Sequence, residues 1–187
     1  MSEHDERQKR RLDIAVQVRN FEIELFWKRS VFFWGFISAA FVGYAALRIA
    51  NPELGLMIAC FGMVCSGAWT LLNRGSKYWQ ESWETKVNEA EIDIGGKLFT
   101  RQELTQNKGR WLRGRKYSVS KLAIALSDYV FLLWFSLVIV EVVRSYCPSA
   151  KMILRVYGPG IFALFSFIYL LLLLIFGRKS KPLAQTE

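Results

Sequence analysis

The stretch Leu71–Glu91, "LLNRGSKYWQESWETKVNEAE", decides how the chain is read. An apolar run stops at Asn73, and Arg74, Lys77, Tyr78 and Trp79 follow within six residues. Trp83 comes one helical turn later, among acids and bases. A greasy segment that ends in cations and amphipathic rings is one that leaves a bilayer: Tyr and Trp favour the headgroup level, and Arg and Lys face anionic lipid there.

The rest of the chain agrees with this reading. The 187 residues are 52% hydrophobic with a mean hydropathy of +0.19, yet they carry a formal charge of +9. The apolar material is segregated into blocks at 31–50, 54–72, 122–143 and 156–176. Each block is near 20 residues, the length at which a helix rising about 1.5 Å per residue crosses about 30 Å of hydrocarbon. The expected fold class is therefore an all-α membrane protein: four transmembrane helices with a cytoplasmic helical extension and a small β-hairpin. No short apolar stretch followed by a small-residue cleavage site precedes the first span, so that span is expected to act as its own insertion signal.

Loop charge sets the expected orientation. Residues 1–30 hold seven Lys and Arg, residues 74–121 hold eleven and the tail after Phe176 holds three, while the two other loops are flanked by four. Both termini and the long middle segment are expected in the cytoplasm of a bacterial inner membrane. The segments are an amphipathic helix over 1–30, a transmembrane hairpin over 31–73, a cytoplasmic helix and hairpin region over 74–120, a second transmembrane hairpin over 121–177 and a tail over 178–187.

Within residues 8–30, Ile14, Val18, Phe21 and Leu25 recur at heptad spacing, and Glu24 and Lys28 pair at i,i+4. That stripe fits a helix on the membrane surface or packed on its own protomer. It also fits a contact between subunits. In the spans, Gly35, Ala39 and Gly43, then Gly55, Ala59 and Gly62, place small residues where backbones approach closely in lipid. Only "NPE" (51–53) separates the first two spans, so the small residues could serve this tight hairpin alone.

Beyond Ala90, "EIDIGGKLFT" (91–100) alternates around Gly95-Gly96, a two-residue hairpin signal that needs a neighbour to pack on. Arg110, Arg113, Arg115 and Lys116 then interleave with Trp111. Beside a membrane that composition favours anionic headgroups over nucleic acid, with a protein partner as the remaining alternative. Ser118 or Ser120 is placed to cap the third helix. The third span carries Asp128 and Glu141, and ionisable groups at that depth are functional hypotheses by default. Structural pairing is nevertheless the plainer reading of both, and Asp128, about two turns from Lys121, is placed to meet cytoplasmic cations. For Glu141 the expected partners are Arg144, three residues on, and Arg48. "GPG" (158–160) is expected to break or kink the fourth span.

Catalytic and metal chemistry find little to work with. His4 is the single histidine, Cys60, Cys65 and Cys147 fit no ligand pattern, and no phosphate-binding glycine loop or nucleophile elbow occurs. The expectation is no enzyme, no cofactor and no metal.

The blocks "NFEIELFWKRSVFFWGFISAAFVGY" (20–44) and "NRGSKYWQESWE" (73–84) resemble a set of small bacterial membrane proteins, some of them in defence or mobile-element neighbourhoods. In layout the chain is also similar to octameric membrane proteins of the RipA type. The resemblance covers roughly residues 15–90 and implies a homo-oligomer of the inner membrane, a defence or stress component whose cytoplasmic part senses or holds a partner. The alternatives are a channel or transporter with Asp128 and Glu141 lining a path, against which stands the absence of an internal repeat, and a passive membrane scaffold.

Overall fold

In the computed structural model, residues 3–94, 118–147 and 149–176 are described. They form four α-helices: α1 (Glu3–Leu47), α2 (Pro52–Asp93), α3 (Val119–Tyr146) and α4 (Ala150–Phe176). Each is long and apolar enough to cross a membrane.

The helix ends follow from local chemistry. Glu3, Asp5 and Glu6 put negative charge in the first turn of α1, where the helix dipole is positive. Asn51 accepts the Leu54 N–H on its Oδ1 at 3.1 Å, and Pro52 occupies the first helical position, where its missing N–H costs nothing. Ser118 is the residue that caps α3, accepting from the Lys121 N–H at 3.4 Å. Helix α4 runs unbroken through Pro159, against the expected break at 158–160. In hydrocarbon an opened backbone has no water to turn to, which favours keeping the helix closed around the proline.

A second departure concerns the β-hairpin. There is no strand among the described residues, and Glu91–Asp93, expected to begin the first strand, are the last turn of α2. Ala90 and Glu91 are buried, so the helix gains more by continuing to pack than by switching to an extended ribbon. Residues 95–100, and Arg110, Trp111, Arg113, Arg115 and Lys116, lie outside the described residues, as does the tail from residue 177.

The chain divides into two compact units. One is Met1–Val31 with Arg74–Gly114. Among its described residues the buried apolar side chains are Ala15, Phe26, Val87 and Ala90, and Arg19 lies 4.0 Å from Glu84. The other is Phe32–Asn73 with Arg115–Glu187, centred on Ala40, Tyr44, Ala59 and Trp134. Phe41 stacks on Trp134 at 4.3 Å between ring centroids, and Tyr44 meets the same indole edge-on at 6.0 Å.

Small residues make this second core possible. A Cβ on Gly62 would lie 2.4 Å from the Trp134 ring, and one on Gly55 would lie 2.9 Å from the Arg48 Cα. Gly43 lies against the Ile58 side chain, and Ala59 is fully buried. Gly62→Ala is therefore expected to cost about 1–3 kcal/mol by overpacking. Detergent-melting curves of the variant check this, and an unchanged midpoint would contradict it. Gly35 is different: nothing lies within 4 Å of the position its Cβ would take, and Ala39 is also exposed.

Candidate functional site

Two groups of side chains are candidates, one in each unit. In the unit of Phe32–Asn73 and Arg115–Glu187, Glu141 is buried and its Oε1 accepts from two directions. The Tyr44 hydroxyl donates to it at 2.5 Å and an Arg144 guanidinium N–H at 3.4 Å. Arg48 caps the arrangement differently from the expectation. Its guanidinium sits 5.5 Å from the centre of the Tyr44 ring, so it reaches Glu141 through the tyrosine. A carboxylate in this setting is tolerable only when both its charge and its lone pairs are met. Here they are, and the arrangement holds α1 to α3. Asp128 is half-buried in α3 and is not brought to this cluster.

Polar atoms without partners mark the same unit. The Thr70 Oγ1, Asn73 Oδ1 and Trp134 Nε1 are buried and unbonded among the described residues. The Asn73 amide donates on its other side to the Ala123 carbonyl at 3.4 Å, tying α2 to α3. Tyr169 donates to the Ala125 carbonyl at 2.7 Å, which ties α4 to α3.

In the unit of residues 1–31 and 74–114, Trp83 is half-buried and lines a groove of about 210 Å³ with Arg11, Ile14 and Ala15 of α1 and Lys86 and Glu89 of α2. The Lys86 ammonium lies 4.1 Å from the centre of the Trp83 ring. The expected stripe is less buried than its composition suggests. Ile14 and Phe21 are 51% and 58% exposed, and Val18 and Leu25 are half-buried. The face that does pack carries Ala15 and Phe26, one residue further along. Lys28 bonds Glu24 at 2.7 Å; that hydrogen bond first, and its charge second, hold the Glu24 carboxyl below the ordinary carboxylate range.

At the exit of the second span, Tyr78 and Trp79 are exposed and meet edge-on at 5.6 Å. Lys77 bonds Glu81 at 2.8 Å, and Arg74 is exposed beside them. Among the described residues no group of histidine, cysteine or acidic side chains is gathered as a metal site. The sequence did not single out Tyr44, Trp134, Ala15 or Phe26. The signal for Tyr44 and Trp134 was faint: a tyrosine and a tryptophan deep in spans, where rings with a polar tip need a reason.

Four long apolar helices, with α1, α2 and α4 each tied to α3 by a polar side chain, define a multi-span α-helical membrane protein. The chain belongs to the octameric membrane protein family (8xMP), whose family model matches residues 9–143. No curated protein and no solved structure matches it.

Proposed function

We propose that the chain is one subunit of a homo-oligomer in the bacterial inner membrane, with both termini and residues 74–120 on the cytoplasmic side. In this reading the assembly is a membrane component or effector of a defence or stress system, and its cytoplasmic layer senses or holds a partner. Membership of a family described as octameric supports the oligomer. The observation that supports a subunit contact through the stripe Ile14, Val18, Phe21 and Leu25 is that Ile14 and Phe21 stay exposed while Ala15 and Phe26 pack within the protomer. The resemblance of residues 20–44 and 73–84 to defence-linked membrane proteins supports the biological role. Arg74, Lys77, Tyr78 and Trp79 are the groups that meet anionic headgroups and rings of the lipid interface. Glu141 is buried and bonded on two sides, which counts against a conducting path lined by it.

Native mass in detergent tests the assembly, and the wild type is expected as a multimer. Val18→Glu is expected to dissociate it while leaving membrane insertion intact. A variant that stays assembled but loosens from liposomes would give the stripe to the lipid instead. Reporter fusions after Asn107 and at the C-terminus are expected to give cytoplasmic signals, and a periplasmic signal at either would overturn the orientation. Phage challenge of cells with and without the protein tests the defence role: equal plaque counts on every phage tried would remove it.

A further inference from the structure

The heptad stripe of α1 does not stop at Leu25. At alternating steps of three and four it continues through Lys28, Phe32, Gly35, Ala39, Val42 and Ala46, and those six are all exposed. Helix α2 carries a second stripe of the same kind. It starts at Met57 and, at steps of four and three, reaches Ile92, with Ser82 half-buried and the other positions exposed. Positions three and four apart lie along one side of a helix, so each helix keeps an open face, apolar where it spans and mixed beyond, at Gly75, Ser82, Thr85 and Glu89. Among the described residues neither stripe is buried along its length by another helix, although Ile14 and Glu89 border the groove beside Trp83.

The two stripes are in register. Inside one unit Arg19 lies level with Glu84, and inside the other Trp34 pairs with Trp69 at 6.3 Å and Gly43 lies against Ile58. That antiparallel register carries each position of the α1 stripe to a position of the α2 stripe at the same depth. Phe32 is level with Leu71, Gly35 with Ala68 and Ala39 with Val64.

Symmetry makes this register matter. Copies that all cross a membrane in one direction are related by an axis along its normal. A twofold axis so placed joins only two copies, so a larger ring is built from heterologous contacts between two different faces. Rotation about that axis also keeps each residue at its own depth. The α1 stripe of one copy therefore needs a different stripe, at matching depth, on the next. Helices α3 and α4 belong wholly to the unit of Phe32–Asn73 and Arg115–Glu187, whereas α1 and α2 each contribute to both units. Among the described helices, α2 is the one that matches the α1 stripe along its length.

Resting on the homo-oligomer reading, we propose that a second copy of this chain covers the exposed face of α1 with the exposed face of its α2, joining subunits head to tail around a ring. The unoccupied glycines fit this occupant. Gly35 meets Ala68 and lets the backbones close, as small residues do in lipid. Gly75, which also has nothing within 4 Å of its Cβ position, lies opposite the long side chain of Lys28. In such a seam the exposed apolar side chains Ile14 and Phe21 leave water without needing the protomer to fold over them.

Disulfide linking between copies tests the seam in the full chain, with Cys60, Cys65 and Cys147 replaced by serine. A copy bearing Phe32→Cys and a differently tagged copy bearing Leu71→Cys are co-expressed and oxidised in membranes. A mixed dimer is expected, and a single chain bearing both substitutions is expected to give a ladder of covalent multimers. Ala39→Cys with Val64→Cys repeats the test deeper in the seam. Phe32→Cys with Val64→Cys is displaced by about 10 Å along the helix and is expected to leave the copies unlinked. If neither in-register pair links while native mass still shows a multimer, the seam is wrong and the oligomer stands. A monomer in native mass overturns both, and dimers from Phe32→Cys alone would mean that α1 pairs with α1.

Discussion

Replacing Glu141 by alanine is expected to destabilise the protein by about 3–5 kcal/mol, the cost of breaking a buried ionic pair from one side. The carboxylate accepts from Tyr44 of α1 and from Arg144 of its own helix, and its removal strands a buried hydroxyl and a half-buried guanidinium together. Glu141→Gln keeps an acceptor for Tyr44 and is expected to cost less. Tyr44→Phe alone removes one hydrogen bond to a charged group, about 1.5–3 kcal/mol. The discriminating measurement is the double variant: Tyr44→Phe added to Glu141→Ala is expected to shift the detergent-melting midpoint very little further, because the partner is already gone. Full additivity would mean that the two residues do not act together.

Trp134→Ala is expected to be as damaging, about 3–5 kcal/mol, for a reason that involves no polar group. The indole is fully buried between Phe41, Tyr44 and the bare backbone of Gly62, and its Nε1–H meets no acceptor among the described residues. The whole cost is volume. Trp134→Phe is accordingly expected to be milder, and it opens space over Gly62. Gly62→Ala should then be tolerated better beside Trp134→Phe than alone, and melting midpoints of the two singles and the double test this. A double variant that melts at or below the sum of the two single losses would show that the glycine is not there to seat the ring.

The spans were legible because hydropathy and length leave few alternatives for 20 apolar residues in a row. All four blocks lie within α1–α4, apart from the end of the first block, which passes Leu47 into the connection. A tight connection between the first two spans was readable, although it falls at 48–51 rather than 51–53. A serine cap on α3 was readable as Ser118 or Ser120, of which the structure uses Ser118. What periodicity could not supply was which face turns inward. On α1 the stripe from Ile14 and the packed face carrying Ala15 and Phe26 differ by one residue, and both repeat every turn. Choosing between them requires knowing where α2 lies. Alternation misled at Glu91–Asp93 because polar and apolar residues interleave at the end of an amphipathic helix much as they do in a strand. Tyr44 and Glu141 are 97 residues apart, and no local rule joins them.

Helix α4 has no buried residue, and the family match ends at residue 143, before it begins. Its bonds to the rest of the protein run through few side chains, such as Tyr169 and Ser166, the latter within 2.8 Å of the Tyr129 hydroxyl. For most of its length the lipid-like solvent asks one thing of this helix, that it stay oily. A library that exchanges leucine, isoleucine, valine, phenylalanine and methionine freely along 161–176 should therefore yield mostly insertable protein, while the same alphabet applied along 127–141 should not. The fourth helix is free to drift in spelling so long as it keeps its solubility, and the third is held to its letters.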